Sequence, residues 1–316
     1  MRNLNLLFRK TYYAQLGSPE FGKQVEKNNF MIFSARFLPD RDHRENPAAT
    51  HRVYLKTLYP GLLVGSGYEH QAGQADEELK LGFSFDYVSG QPYIPGSSVK
   101  GVLRSQFREH PELIAALTGW EISTVRAVER DIFDDQDIFF DAVVYDSNEY
   151  GELLGPDYIT PHKSPVKDPV PIRFLKVLPD VTFEFCFRLN SSELPDGTRV
   201  TAGKKCMLFG QILELVGAGA KTNVGYGHFE LLGKAPDVSA PKKSREKNAG
   251  APVRKQADWA GKTQKPAVGS SGKPNPERVA CPHCGQSNYK FYPDGNLRRK
   301  CYRCQGFLYP RGGSGQ

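Results

Sequence analysis

The sequence predicts an α+β fold in which antiparallel sheets are covered by helices on one face, built from one or two ferredoxin-like (RRM-like) βαββαβ units. Three observations predict it. Strand-patterned and helix-patterned segments alternate twice along residues 1–233, a glycine-rich segment separates the last helix from the last strand, and no solenoid-type repeat replaces the alternation.

Residues 29–38 (NFMIFSARFL) and 51–67 (HRVYLKTLYPGLLVGSG) have the aromatic, β-branched and alternating character of strands, the second running into a glycine-bearing turn. After Pro95 and Gly96, SSVKGVLRSQFREH begins with serines suited to capping. It continues with Val99, Leu103 and Phe107 four residues apart, which predicts an amphipathic helix over 97–109 with Lys100, Arg104 and Arg108 on its other face. Short helices are predicted at 111–118 and 122–130, a strand at 137–146 (DIFFDAVVYD), and a long Pro- and Gly-bearing loop at 147–171. A strand pair over 174–189 turns at Pro179-Asp180. A helix over 200–215, the loop GAGAKTNVGYG (217–227) and a final strand near 227–232 complete the body.

From Gly233 to Ala280 the chain is rich in Lys, Pro, Gly, Ser and Ala and poor in branched apolar residues. It lacks the means to bury a core and reads as a disordered basic linker. Beyond it, CPHC (281–284) and CYRC (301–304) set two C-x-x-C knuckles 16 residues apart, a spacing that presents Cys281, Cys284, Cys301 and Cys304 to one tetrahedral zinc. Four thiolates leave no open coordination position, so the predicted Zn2+ is structural and supplies the folding energy of a ribbon over 281–310. Tyr289, Phe291, Tyr292, Tyr302, Phe307 and Tyr309 alternate there with Lys290, Arg298, Arg299, Lys300 and Arg303, a mixture that suits base stacking and phosphate neutralisation, or simply the packing of a very small domain.

The net charge of +7 is unevenly distributed. Residues 234–280 hold 11 Lys/Arg against 4 Asp/Glu, residues 281–316 hold 6 against 1, and residues 1–233 hold 25 against 30. Bulk electrostatics therefore excludes the body as a general polyanion binder, and any RNA contact it makes must come from local backbone amides, Lys and Arg. No run approaches the ~18 apolar residues of a membrane span, and the first residues lack a signal-peptide pattern. With Cys186 and Cys206 isolated in apolar surroundings, the expectation is a cytoplasmic protein without disulfides.

Three body segments join glycine to basic or hydroxyl residues: GSGYEHQAG (65–73), PYIPGSSVKGVLRS (92–105) and GAGAKTNVGYG (217–227). Glycine lets amides approach phosphates, and a helix start near Ser97 has free N–H groups. PYIPGSSVKGVLRS followed much later by GAGAKTNVGYG resembles the RAMP superfamily of CRISPR-associated proteins. Within it, DIFFDAVVYD, DYITPH (157–162) and DPVPIRFLKV (168–177) resemble the sixth-subunit family of the Cmr complex, the type III-B effector. The resemblance covers about residues 51–232 and leaves out the basic linker and ribbon. It implies a RAMP fold over 1–233 and a non-catalytic, RNA-binding subunit of an antiviral CRISPR complex. Its partners would be guide CRISPR RNA toward the 3′ end, other RAMP subunits, a small helical subunit and, through the complex, target RNA. By the same resemblance Gly217, Gly219, Lys221, Gly225, Tyr226 and Gly227 form an RNA-contacting loop, with Ser97, Ser98, Lys100 and Arg104 on the neighbouring helix start. Lys221 is the foremost candidate. Lys100 and Arg104 also read as a solvated helix face, Tyr226 as a core residue, and His162 and Lys163 as part of an ordinary surface loop.

Two other readings are open to the same residues. An endoribonuclease processing repeat RNA without a metal needs a general base, for which His51, His70, His162 and His228 are available; a target nuclease could hold a metal ion on the acidic run Asp76, Glu77 and Glu78, which also reads as a solvated loop. A free-standing zinc-ribbon adaptor would bind nucleic acid through the tail, with the body as scaffold.

Overall fold

Residues 3–65, 67–73, 75, 77–159, 171–194, 197–239, 242–243, 278–280 and 287–289 are described by the structure, a computed structural model. The chain divides into two units, Met1–Ala249 and Gly250–Gln316. Along the first run helices α1 (Leu4–Arg9), α2 (Phe21–Phe33) and α3 (Pro39–Asp42), strands β1 (His51–Thr57) and β2 (Tyr93–Ile94), and helices α4 (Gly96–Glu109), α5 (Pro111–Thr118) and α6 (Ile122–Arg130). Then follow strands β3 (Ile138–Phe139), β4 (Ala142–Asp146), β5 (Leu154–Ile159), β6 (Ile172–Val177), β7 (Thr182–Arg188), β8 (Ser192–Glu193) and β9 (Arg199–Val200), helix α7 (Ala202–Val216) and strand β10 (Phe229–Leu232). In the second unit β11 (Arg278–Ala280) pairs antiparallel with β12 (Ser287–Tyr289).

The main sheet has the order β10-β1-β7-β4-β2, with β3 also on β7, and every pairing is antiparallel. Taking β1, β4, β7 and β10 as first to fourth strands, with α4–α6 and α7 as the two crossovers, this is the 4-1-3-2 order of one βαββαβ unit. The alternation of β1 explains the layering. Val53 lies near Gly210 of α7 and Leu55 enters the core, while Arg52 and Tyr54 meet Glu184 and Lys56 meets Glu230 on the other face. On β7, Phe183, Phe185 and Phe187 are all core residues. Phe187 packs on Phe209 of α7 and Phe185 on Phe229, each burial stabilising by about 2 kcal/mol.

Helix α4 buries the predicted Val99, Leu103 and Phe107. The serines do not cap it: Pro95 is the N-cap, Ser97 and Ser98 lie exposed in the first turn, and Asp141 accepts from the Gly96 N–H at 2.7 Å. The short helices α5 and α6 fall where predicted.

Four expectations need correction. Residues 29–33 end a helix, since Phe21, Val25, Asn28, Asn29 and Ile32 make one buried helical stripe. Its two asparagines are satisfied inside: Tyr12 donates to Asn29, which donates to the Glu77 carbonyl, and Asn28 donates to the Thr11 carbonyl. The second predicted strand stops at Thr57, where Gly61 donates back to the Leu58 carbonyl to close a turn. The stretch 147–171 contains a strand, β5, paired along its length with β6 as a separate two-stranded sheet. The two strands around Pro179-Asp180 thus exist but pair with different neighbours, with Asp180 at φ +63°. Residues 160–170, with His162 and Lys163, lie outside the described residues, as does most of the linker. The linker's Lys242 and Lys243 are placed, on Asp146 and Glu149 of the body. No described helix is long and apolar enough to cross a membrane.

Candidate nucleic-acid interface

Helix α7 ends because Gly217 takes φ +74° while its N–H caps the Leu213 carbonyl at 2.9 Å. The loop that follows is closed at its neck by Ala218 donating to the Gly227 carbonyl at 2.9 Å. It is then laced to the turn after β1. Ala220 donates to Leu63 at 2.8 Å, Gly227 donates to Gly61 at 2.8 Å, and Leu58 donates to His228 at 2.9 Å. A Cβ on Gly219 would stand 2.5 Å from the Leu63 oxygen, and one on Gly227 would fall on the Ala218 oxygen. These glycines permit close backbone contacts within the protein itself.

Lys221 differs from its neighbours. It is exposed, opens a short 3₁₀ turn (Thr222–Val224), and takes φ +62°, a left-handed conformation unusual for a residue with a side chain. Its carbonyl accepts from Val224 at 3.2 Å and Tyr226 at 3.3 Å, which fixes the turn. Tyr226 points inward. It is 7% exposed, packs with Leu63 and Phe174, and donates its hydroxyl to Asp157 at 2.7 Å. Lys176 reaches the same oxygen at 2.6 Å. Burial favours the neutral acid at Asp157, but the hydrogen bonds from Lys176 and Tyr226 outweigh it and hold the carboxyl below its usual range. Burial and that carboxylate together push the Tyr226 phenol upward.

The helix-start candidates stand apart from this loop. The loop enters β10, at one edge of the sheet. α4 follows β2 at the other edge, four strand spacings or roughly 19 Å away. It starts against Phe139, whose strand pairs with the far end of β7. The expected neighbouring placement is therefore not met. Lys100 lies 5.8 Å from the centre of the Phe139 ring. Arg104 is held by Glu129 at 2.7 Å and Asp134 at 2.5 Å, so its charge is already compensated.

Among the described residues, those weighed for catalysis have structural partners. His70 is buried against Phe8 at 3.6 Å between ring centres, its nitrogens 2.8 Å from the Leu79 and Phe8 carbonyls. Burial lowers its proton affinity. His228 meets the Thr222 carbonyl at 3.1 Å and His51 the Thr50 hydroxyl at 2.9 Å. Glu78 is buried and accepts from Ala72 and Gly73, Glu77 pairs with Arg173, and Asp76 lies outside the described residues. Cys186 and Cys206 are free and buried, their thiols pushed up by burial to about 12 and about 11. Cys281, Cys284, Cys301 and Cys304 lie outside the described residues, although the paired strands β11 and β12 flank the first knuckle in sequence. As a donor set, four cysteines in this spacing fit zinc.

The family model for the RAMP superfamily matches residues 54–230. The chain belongs to the RAMP superfamily. Among its relatives is the CRISPR system CMR subunit Cmr6 of Saccharolobus solfataricus, 30% identical over 155 residues, which are 48% of this chain and 48% of that protein. The chain thus aligns with about half the length of this curated relative. A chain in the cryo-EM structure of the type III-B Cmr-beta complex bound to cognate target RNA is 28% identical over 57% of both chains, with a TM-score of 0.41. The crystal structure of Cmr6 from Pyrococcus furiosus is 21% identical over 58% of this chain and 98% of that one, with a TM-score of 0.35.

Sequence reasoning on this RAMP chain missed Asp157 and Lys176, which brace the loop from β5 and β6, and the turn at Leu58–Gly61, which carries it. The Pro-Gly pair at 60–61 is a turn signal that the reading of 51–67 as strand passed over, and the turn's partner lies more than 150 residues away in sequence.

Proposed function

We propose that this chain is a Cmr6-like, non-catalytic structural subunit of a type III-B CRISPR effector complex. It holds guide RNA toward its 3′ end for target RNA recognition in antiviral defence. The observation that carries the reading is the 30% identity over 155 residues with a Cmr subunit. A rigid loop presenting Lys221 supports it, because such a loop suits a phosphate backbone read by shape. Other RAMP subunits and a small helical subunit would be the partners. In this reading residues 1–233 form the RAMP body, 234–280 a basic linker and 281–310 a zinc ribbon. Cys281, Cys284, Cys301 and Cys304 hold a structural zinc, and the whole works in the cytoplasm.

Affinity purification from the native host, with mass spectrometry of bound proteins and sequencing of bound RNA, tests this. Recovery of RAMP subunits with repeat-derived guide RNA is expected. Recovery of the chain alone, cleaving repeat RNA, would overturn it. Elemental analysis of the same material is expected to find about one zinc ion per chain.

A further inference from the structure

We propose that Tyr59 is a base-stacking platform that acts beside Lys221, so that a single-stranded RNA places a base on the tyrosine ring and a phosphate at the lysine. The inference rests on the RNA-binding reading above and adds a residue and a mode of recognition to it. Tyr59 is 84% exposed, which leaves a large ring face in water. Leu58, beside it in the tyrosine turn, and Val224, in the lysine turn, are also exposed, at 40% and 65%.

The ring stands on a prepared base. The turn that carries it is tied to itself by Gly61 to Leu58, and to the glycine-rich segment by Leu58 to His228 and Gly227 to Gly61. Pro60 lies 3.5 Å from where a Cβ on Gly225 would stand, so the tyrosine turn and the lysine turn touch. Little backbone ordering is then left for RNA to induce. The loop uses glycine at its other positive-φ positions, 217, 219, 225 and 227, and lysine at 221 alone. A side chain kept where glycine is favoured points to a use for that side chain. Stacking tolerates any base, which suits a protein that leaves sequence reading to RNA pairing.

The test uses the full chain, a fluorescent single-stranded RNA 12-mer and an abasic 12-mer of the same length, with anisotropy followed across salt concentrations. Tyr59→Ala is expected to weaken binding of the base-bearing RNA about tenfold, leave the abasic RNA unaffected and keep the salt slope, while Tyr59→Trp retains affinity. Lys221→Ala should weaken both RNAs and lower the salt slope by about 0.7. Ultraviolet cross-linking with mass spectrometry should place RNA on Tyr59. Equal affinity of Tyr59→Ala and the parent for base-bearing RNA, with cross-links on 217–227 but none on Tyr59, would overturn the platform and leave the loop reading standing. Cross-links confined to 234–316 would overturn both. Loss of co-purifying subunits with RNA binding intact would make Tyr59 a protein contact and also overturn the platform.

Discussion

Asp157 shows how much of the loop's rigidity rests on one carboxylate. It accepts from Tyr226 and Lys176 at once, so Asp157→Ala leaves a buried hydroxyl and an ammonium without their acceptor. A loss of about 1–3 kcal/mol in urea unfolding is expected. Because its proton affinity is held down in the folded state, its contribution is present above the ordinary value of 3.8 and fades as pH falls through the lower folded value. His70 adds a second acid-sensitive contribution at higher pH. Its folded proton affinity is depressed by burial, so the unfolded chain takes up protons first as pH falls below 6.5. Urea midpoints should therefore drop between pH 8 and pH 5.5, and His70→Gln should flatten that drop. The inward turn of Tyr226 was one of two readings of its sequence, and an isolated tyrosine between two glycines carries no signal to choose between them.

At the scale of elements, α4 was legible because Val99, Leu103 and Phe107 repeat at helical spacing. Its cap was not, because Asp141 arrives from a segment more than forty residues later. Asp141→Ala should cost about 1 kcal/mol in thermal unfolding, whereas Ser97→Ala should cost little. Helix α2 was misread for a related reason: Asn28 and Asn29 look polar in sequence, yet they are buried with tertiary partners, which hides two of the five members of the stripe. Strand β5 (LGPDYI) contains Gly and Pro, which disguise it. It exists because β6 offers a complete antiparallel register. The glycine-rich segment was legible as a loop, while its attachment to the turn after β1 is a long-range fact that no local pattern contains.

For the whole molecule, the division of charge matters most. The body is acidic in sum and the segment from 234 onward carries the positive excess. Removing 244–316 should therefore take away most of the salt-sensitive RNA affinity. The smaller remainder should depend on Lys221, read as the slope of log affinity against log salt. The α+β class and the βαββαβ order were readable because hydrophobic periodicity is local. The distance between the two groups of candidate RNA residues was not, because it is set by strand order.

The lacing of the glycine-rich loop has a kinetic consequence. A segment with four glycines in eleven residues would ordinarily open within the native state and exchange its amide hydrogens quickly. Here the Ala218, Ala220 and Gly227 amides bond across the loop's neck and to the turn leaving β1, and β1 itself pairs with β10. Opening them means parting the sheet at that edge. Their hydrogen-exchange protection should match that of β10 rather than that of surface loops, so the segment with the most flexible composition becomes part of the slowest-opening unit of the body.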